Sequence, residues 1–250
     1  MEIAVIFIFG LIVGSFLNAL IWRLHSGDSI FEKSSKCPRC GHKLSWPDLV
    51  PVVSFFALRG QCRYCKKPIS WQYPLVELAT AFAFVLIYGR LSIIDYRLLF
   101  QFVFVSFLII IFAYDFKHYL ILDKVVFPAA VLALVYQIWQ HNVSDAIYGA
   151  LILSGFFAVL YFISRGRWIG AGDVKLGIFL GFLIPFPETL ALFFMAYFLG
   201  AGVSLLLVLL KNKKFSDKVP FGTFLTCAAF FAMLKGEEII SWYFKLIGVR

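Results

Sequence analysis

The chain has 250 residues, of which 62% are hydrophobic and 15% charged, with a mean hydropathy of +0.89. Soluble domains average about 25% charged residues, so this composition excludes an ordinary soluble globule and points to a polytopic membrane protein. The net charge of +9 lies in loops between apolar runs, where it reads as a topology signal and not as a nucleic-acid footprint; membrane lipid is the expected surrounding and no nucleic-acid partner is expected.

A membrane span takes about 20 apolar residues. The pattern predicts helices near 2–22, 74–89, 98–114, 124–140, 146–164, 168–187, 189–210 and 221–244. The first run, Ile3 to Trp22, lacks a basic leader and a small-residue cleavage site, so it is expected to stay as the first helix and not to be removed as a signal peptide. The predicted fold is an all-α polytopic membrane protein of about eight transmembrane helices. Its expected domains are a first helix (1–22), a polar cytoplasmic loop (23–73) and a transmembrane domain (74–250). With the 23–73 loop placed inside, Lys and Arg in the loops divide 18 against 4 in favour of that side. The positive-inside rule then makes the loop cytoplasmic in a multi-pass inner-membrane protein, with both termini outside.

The polar loop carries Cys37-Pro38-Arg39-Cys40 and Cys62-Arg63-Tyr64-Cys65. Paired Cys-X-X-Cys units at this spacing read as a four-thiolate zinc site, because tetrahedral zinc takes four soft ligands and each unit presents two. A cytoplasmic location argues against the rival reading, a pair of disulfides. Closed four-sulfur sites are structural, so the expected role is folding of the loop. His42 stands two residues after Cys40 and could replace a ligand, though four cysteines suffice. Cys227, alone in an apolar helix, reads as packing.

Asp115 ends the apolar run from Leu98, and Asp173 follows Gly170-Ala171-Gly172 at the opening of another. A carboxylate at a membrane boundary is costly unless it meets a polar cavity or a partner. The orientation above puts both at the cytoplasmic face, where they suggest a catalytic pair. Pro185 and Pro187 shorten the run after Asp173, so the span is expected to start near Trp168 and to bury Asp173 roughly one helical turn below the interface. Two carboxylates at short range cannot both ionise, so they share one proton. The ionised one then activates water while the protonated one donates to a scissile carbonyl. Lys117 and Lys175 oppose this by favouring ionisation. The bland alternative is a pair of helix-capping aspartates, and Asp173 suits a helix start. Asp123, eight residues after Asp115, competes for the first position. Gly170 and Gly172 leave room for another helix or an extended peptide beside the aspartates.

These motifs together resemble the bacterial type IV prepilin leader peptidases, nearly end to end. The resemblance runs through Gly14-Ser15-Phe16-Leu17-Asn18 with Arg23, Leu58-Arg59-Gly60-Gln61 before the second cysteine pair, Tyr73-Pro74-Leu75-Val76-Glu77, Gly170-Ala171-Gly172-Asp173, and Val219-Pro220-Phe221-Gly222. It implies an aspartic intramembrane peptidase with Asp115 and Asp173 catalytic. The implied substrates are the precursors of type IV pilins and type II secretion pseudopilins, cut after a glycine. Members with the long cysteine loop are also N-methyltransferases that use S-adenosylmethionine on the new amino terminus. One departure stands out: the family has proline before the acidic or amide residue eight positions after the first aspartate, and here Leu122 precedes Asp123. No glycine-rich nucleotide loop is present, so no residue is assigned to S-adenosylmethionine, and Asn18 and Glu77 are polar candidates only. The competing reading from another class is a transporter or scaffold with a zinc-binding cytoplasmic module, its acids serving a proton path.

Overall fold

The computed structural model describes residues 1–29, 35–92, 94–210, 219–246 and 248. Lys33, Lys211, Lys213, Lys214, Lys218 and Arg250, counted above for orientation, lie outside them. The described residues form nine α-helices: α1 (Glu2–Ser26), α2 (Val53–Ala57), α3 (Gln72–Leu91), α4 (Tyr96–His118), α5 (Asp123–Trp139), α6 (Val143–Ser164), α7 (Ala171–Leu183), α8 (Glu188–Leu209) and α9 (Phe221–Leu246). Among the described residues, β structure is confined to two isolated bridges in the polar loop.

Apart from the one-turn α2, the helices fall at the eight positions the hydropathy pattern predicts. Five of them, α1, α3, α4, α6 and α8, are long and apolar enough to cross a membrane. At 13 residues, α7 rises only about 20 Å, short of a hydrocarbon layer of about 30 Å. It starts at Ala171 and not near Trp168, because Gly170 is extended (φ −78°, ψ 152°) and the Asp173 side chain accepts the Gly170 N–H, closing the helix start there. α9 carries Lys235, Glu237 and Glu238 in its second half and falls outside the five.

The chain forms two compact units, Met1–Ile109 and Ile110–Arg250, divided within α4. In the first, α1 and α3 pack antiparallel along a small-residue seam. A Cβ at Gly10 would lie 2.5 Å from the Ala81 Cα, and one at Gly14 would lie 2.6 Å from the Glu77 Cα. Apolar side chains gain little by leaving lipid for each other, so close backbone approach is what such helices exploit. In the second unit, α6 and α7 do the same: a Cβ at Gly177 would meet the Ser154 Cα at 3.0 Å, and one at Gly181 would run into the Ala150 backbone. α5 packs on α7 as well, and Gln137 donates from Nε2 to the Phe182 carbonyl at 3.0 Å. These contacts clamp the short α7 and so fix the position of its first turn.

Candidate active site and metal centre

Asp115 stands in the last turn of α4 and is 4% exposed. Tyr119, at φ 55°, ends that helix immediately afterwards. The Asp115 Oδ2 accepts the Thr223 backbone N–H at 2.9 Å, and the carboxylate also takes the Gly222 amide. Both donors belong to the first turn of α9, where unsatisfied amides and the helix dipole favour an anion. A Cβ at Gly222 would sit 2.8 Å from the Asp115 Oδ2, so this residue must lack a side chain for the carboxylate to reach the amides.

Asp173 is 9% exposed in the first turn of α7 and holds the Gly170 N–H at 3.1 Å through its Oδ2. It therefore does cap its helix, yet it also lies near enough to Asp115 for the two charges to act on each other. Ile121, in the α4–α5 loop, joins the two supports: its side chain would be 3.0 Å from a Cβ at Gly172 and 3.1 Å from one at Gly222. The Asp173 charge also reaches Tyr197 of α8, whose ring packs 5.5 Å from that of Phe221.

The competing aspartate lies elsewhere. The Asp123 side chain is 54% exposed, and Lys175 Nζ holds both its oxygens at 2.8 Å. Lys175 also lies over the Phe127 ring at 5.7 Å. Of the two lysines expected to oppose the pair, Lys117 and Lys175, the second is thus engaged by Asp123. Sequence reasoning marked the 219–222 stretch only as a signature and passed over Thr223, Ile121 and Tyr197. An unusual Pro-Phe-Gly at a helix start was the one signal that pointed to them.

The polar loop brings all four sulfurs of Cys37, Cys40, Cys62 and Cys65 within 4.8 Å of one another, with Cys37 and Cys65 4.0 Å apart. None is in a disulfide. Each pair forms a tight turn: the Gly41 N–H donates to the Cys37 carbonyl at 2.9 Å, and the Lys66 N–H to the Cys62 carbonyl at 3.0 Å. Tetrahedral Zn–S bonds of about 2.3 Å put sulfurs about 3.8 Å apart, so this donor set fits zinc with a small contraction. The backbone amides of Cys65 and Tyr64 hold the Cys62 thiol down at about 7, which favours a thiolate ligand. His42 packs against Tyr64, with ring centroids 3.7 Å apart and the planes tilted by 35°. Asp48 ties the second turn to the Ser45 segment, accepting from Arg63 Nε at 2.6 Å and Ser45 Oγ at 2.7 Å. Burial alone would raise the Asp48 carboxyl, but the Arg63 guanidinium and the Ser45 hydroxyl and amide outweigh it and hold it down at about 2.

Comparison with known proteins fits this layout. Residues 8–91 match the bacterial Peptidase A24 N-terminal domain, and residues 102–205 match the type IV leader peptidase family. A relative in Bacillus subtilis (strain 168), named prepilin leader peptidase/N-methyltransferase, is 32% identical over 98% of each chain. The chain belongs to the type IV leader peptidase family. Another family member of that name, in Aeromonas hydrophila, is 30% identical over 96% of this chain and 93% of its own. One in Myxococcus xanthus (strain DK1622) is 35% identical over 82% of this chain, which spans 62% of that relative's length. No solved structure matches.

Proposed function

We propose that this protein is a membrane aspartic endopeptidase that removes the leader from type IV prepilins and pseudopilins after a glycine, and that it also N-methylates the new amino terminus. The observation that carries the peptidase half is the pair Asp115 and Asp173. Both are buried, both are held by backbone amides, and their charges interact. Family membership supports this reading over a transporter or scaffold.

Two such carboxylates hold one proton between them. The ionised member takes a proton from water as the hydroxide oxygen attacks the scissile carbonyl. The protonated member gives its proton to the carbonyl oxygen. Collapse of the tetrahedral species breaks the C–N bond as the leaving amine takes a proton from one carboxyl, while the other carboxylate takes one back from a hydroxyl of the tetrahedral species, which restores the singly protonated pair. Gly170 leaves room beside Asp173 for an extended substrate segment, whereas Gly172, expected to do the same, is packed against Ile121. The charge count supports a cytoplasmic catalytic face.

For the methyltransferase half, Cys37, Cys40, Cys62 and Cys65 would hold a structural zinc that folds the loop. S-adenosylmethionine would supply an electrophilic methyl group. The sulfonium donor and the ammonium form of the acceptor are both cations, and two buried acceptor groups of the first unit could meet one: the Asn18 Oδ1, which has no partner among the described residues, and Glu77, which is 6% exposed.

The test is a prepilin reconstituted with the purified protein in liposomes and read by mass spectrometry. The reading expects loss of the leader and, with S-adenosylmethionine present, a product heavier by one methyl group. An intact precursor rejects the peptidase half. A cleaved but unmodified product rejects only the methyltransferase half.

A further inference from the structure

Resting on the N-methyltransferase reading above, we propose that Asn18 and Glu77 form the acceptor site of methyl transfer, binding the free α-ammonium group that leader cleavage creates.

The α1–α3 seam that sets Gly14 against Glu77 also sets Asn18 against Tyr73, one turn along each helix. Asn18 is 1% exposed and donates from Nδ2 to the Tyr73 carbonyl at 2.9 Å. That bond fixes which way the amide faces and leaves Oδ1 a buried acceptor with no donor among the described residues. An orphaned buried acceptor carries a desolvation cost that a bound donor removes.

Glu77 is the second acceptor. Its carboxylate takes the Val52 N–H at 2.7 Å and the Ser15 hydroxyl, both neutral donors. Among the described residues no lysine or arginine pairs with it. A buried carboxylate with no cation is unfavourable, which makes the niche selective for a positively charged donor group. A primary ammonium has three donors and no acceptor, matching a carboxylate with lone pairs to spare and a free amide oxygen.

The loop side of the niche is strained. Val52 sits at φ 60°, ψ −50°, in a tight turn closed by the Val53 N–H on the Pro51 carbonyl. A β-branched residue at positive φ is an outlier that persists only where its surroundings over-determine it, as at ligand clamps. Here the amide that the turn exposes is the one Glu77 accepts. Val52 lies in the stretch between the two cysteine pairs, Cys37/Cys40 and Cys62/Cys65. An intact cysteine loop is therefore part of what shapes the acceptor site.

In the step itself, the bound ammonium gives one proton to the Glu77 carboxylate and becomes a neutral amine. Its lone pair then forms the N–C bond to the methyl group of the sulfonium donor as the C–S bond breaks, its electron pair staying on sulfur. The product is a secondary ammonium and a neutral thioether.

The test uses the full-length protein in detergent with Glu77→Gln and, separately, Asn18→Leu. The probes are a synthetic peptide of the processed pilin amino terminus, the same peptide N-acetylated, and S-adenosylhomocysteine. The wild type should bind the free-amine peptide at least tenfold more tightly than the acetylated one. Both variants should lose that preference and raise the acceptor KM by tenfold or more. Leader cleavage and S-adenosylhomocysteine binding should stay within twofold of wild type, which shows that the variants fold. A variant that keeps cleavage and the free-amine preference overturns the proposal. So does one that loses S-adenosylhomocysteine binding while holding the peptide, since the residue then serves the donor. If a variant loses cleavage through misfolding, equal wild-type binding of the two peptides still overturns it. A wild type that prefers the free amine yet never methylates separates failure of the methyltransferase reading from failure of the amine site.

Discussion

Glu77 in the first unit and Asp115 in the second are both buried carboxylates that accept a backbone N–H from a distant stretch of chain, yet the donors differ in kind. Asp115 is met by the first-turn amides of α9, unstrained groups on a 26-residue helix whose dipole favours the charge. Glu77 is met by a single amide in a strained turn between the two cysteine pairs. One carboxylate is held by the helical frame, the other by a loop whose two ends carry the clustered cysteine pairs. The comparison teaches that the two sites should fail separately: the second to changes in the helix starts, the first to changes in the loop.

The largest expected effect comes from the helix start. In Gly222→Ala the new Cβ would lie 2.8 Å from the Asp115 Oδ2 and displace the carboxylate. A misplacement of this order costs about 100-fold in rate, so cleavage assays should show a loss on that scale with methylation of a pre-cleaved pilin retained. Equal loss of both activities would break the distinction between the sites.

Metal removal should act in the opposite sense. Chelation, or Cys37→Ser with Cys62→Ser, should release the loop and with it the Val52 amide. Methylation should fall by about tenfold or more, the range seen when a metal site's supporting partners are lost, while cleavage changes little. Metal analysis of the purified protein should find one zinc per chain, and free thiols with no metal would contradict this.

Packing predictions are smaller. Gly181→Ala would force a side chain onto the Ala150 backbone, and overpacking of this kind costs about 1–3 kcal/mol. Thermal unfolding in detergent should report it, with cleavage reduced in step because α7 carries Asp173.

The smallest effect concerns Asp48. Its carboxyl is held at about 2 by Arg63 and Ser45 against the opposing pull of burial, below an unfolded value of about 3.9. A depressed folded value contributes stability above the unfolded value and loses it as pH falls through the folded one. Loop stability, followed by hydrogen exchange at residues 62–65, should therefore decline between about pH 4 and pH 2. Asp48→Asn should show the low-pH behaviour throughout.

Much of this was legible in the sequence. The helices fall near the apolar runs of the sequence, five of them long and apolar enough to cross a membrane where eight spans were expected, and the Cys-X-X-Cys pairs and Gly-X-Gly-Asp mark chemistry that is local in the chain. The rest depends on contacts that no local pattern reports. The Asp115 to Thr223 bond joins residues 108 apart, and Ile121 acquires its place only when α5, α7 and α9 start near one another. The expected long span over 168–187 gave way to a 13-residue α7 because Asp173 caps the helix on Gly170, and a hydropathy window does not register a cap. Glu77 read as a helix-end residue. Its interest lies in the Val52 turn and in the empty acceptor of Asn18 one turn away.

The most direct test of the account compares prepilin cleavage by wild type, Asp115→Asn, Asp173→Asn and Asp123→Asn in liposomes. Loss of a general acid or base costs about 10²–10⁴-fold, so the account predicts that the first two variants lose at least 100-fold while Asp123→Asn, whose carboxylate is exposed and paired with Lys175, stays near wild type. Normal cleavage by Asp115→Asn or Asp173→Asn would make those carboxylates structural caps and contradict the central claim.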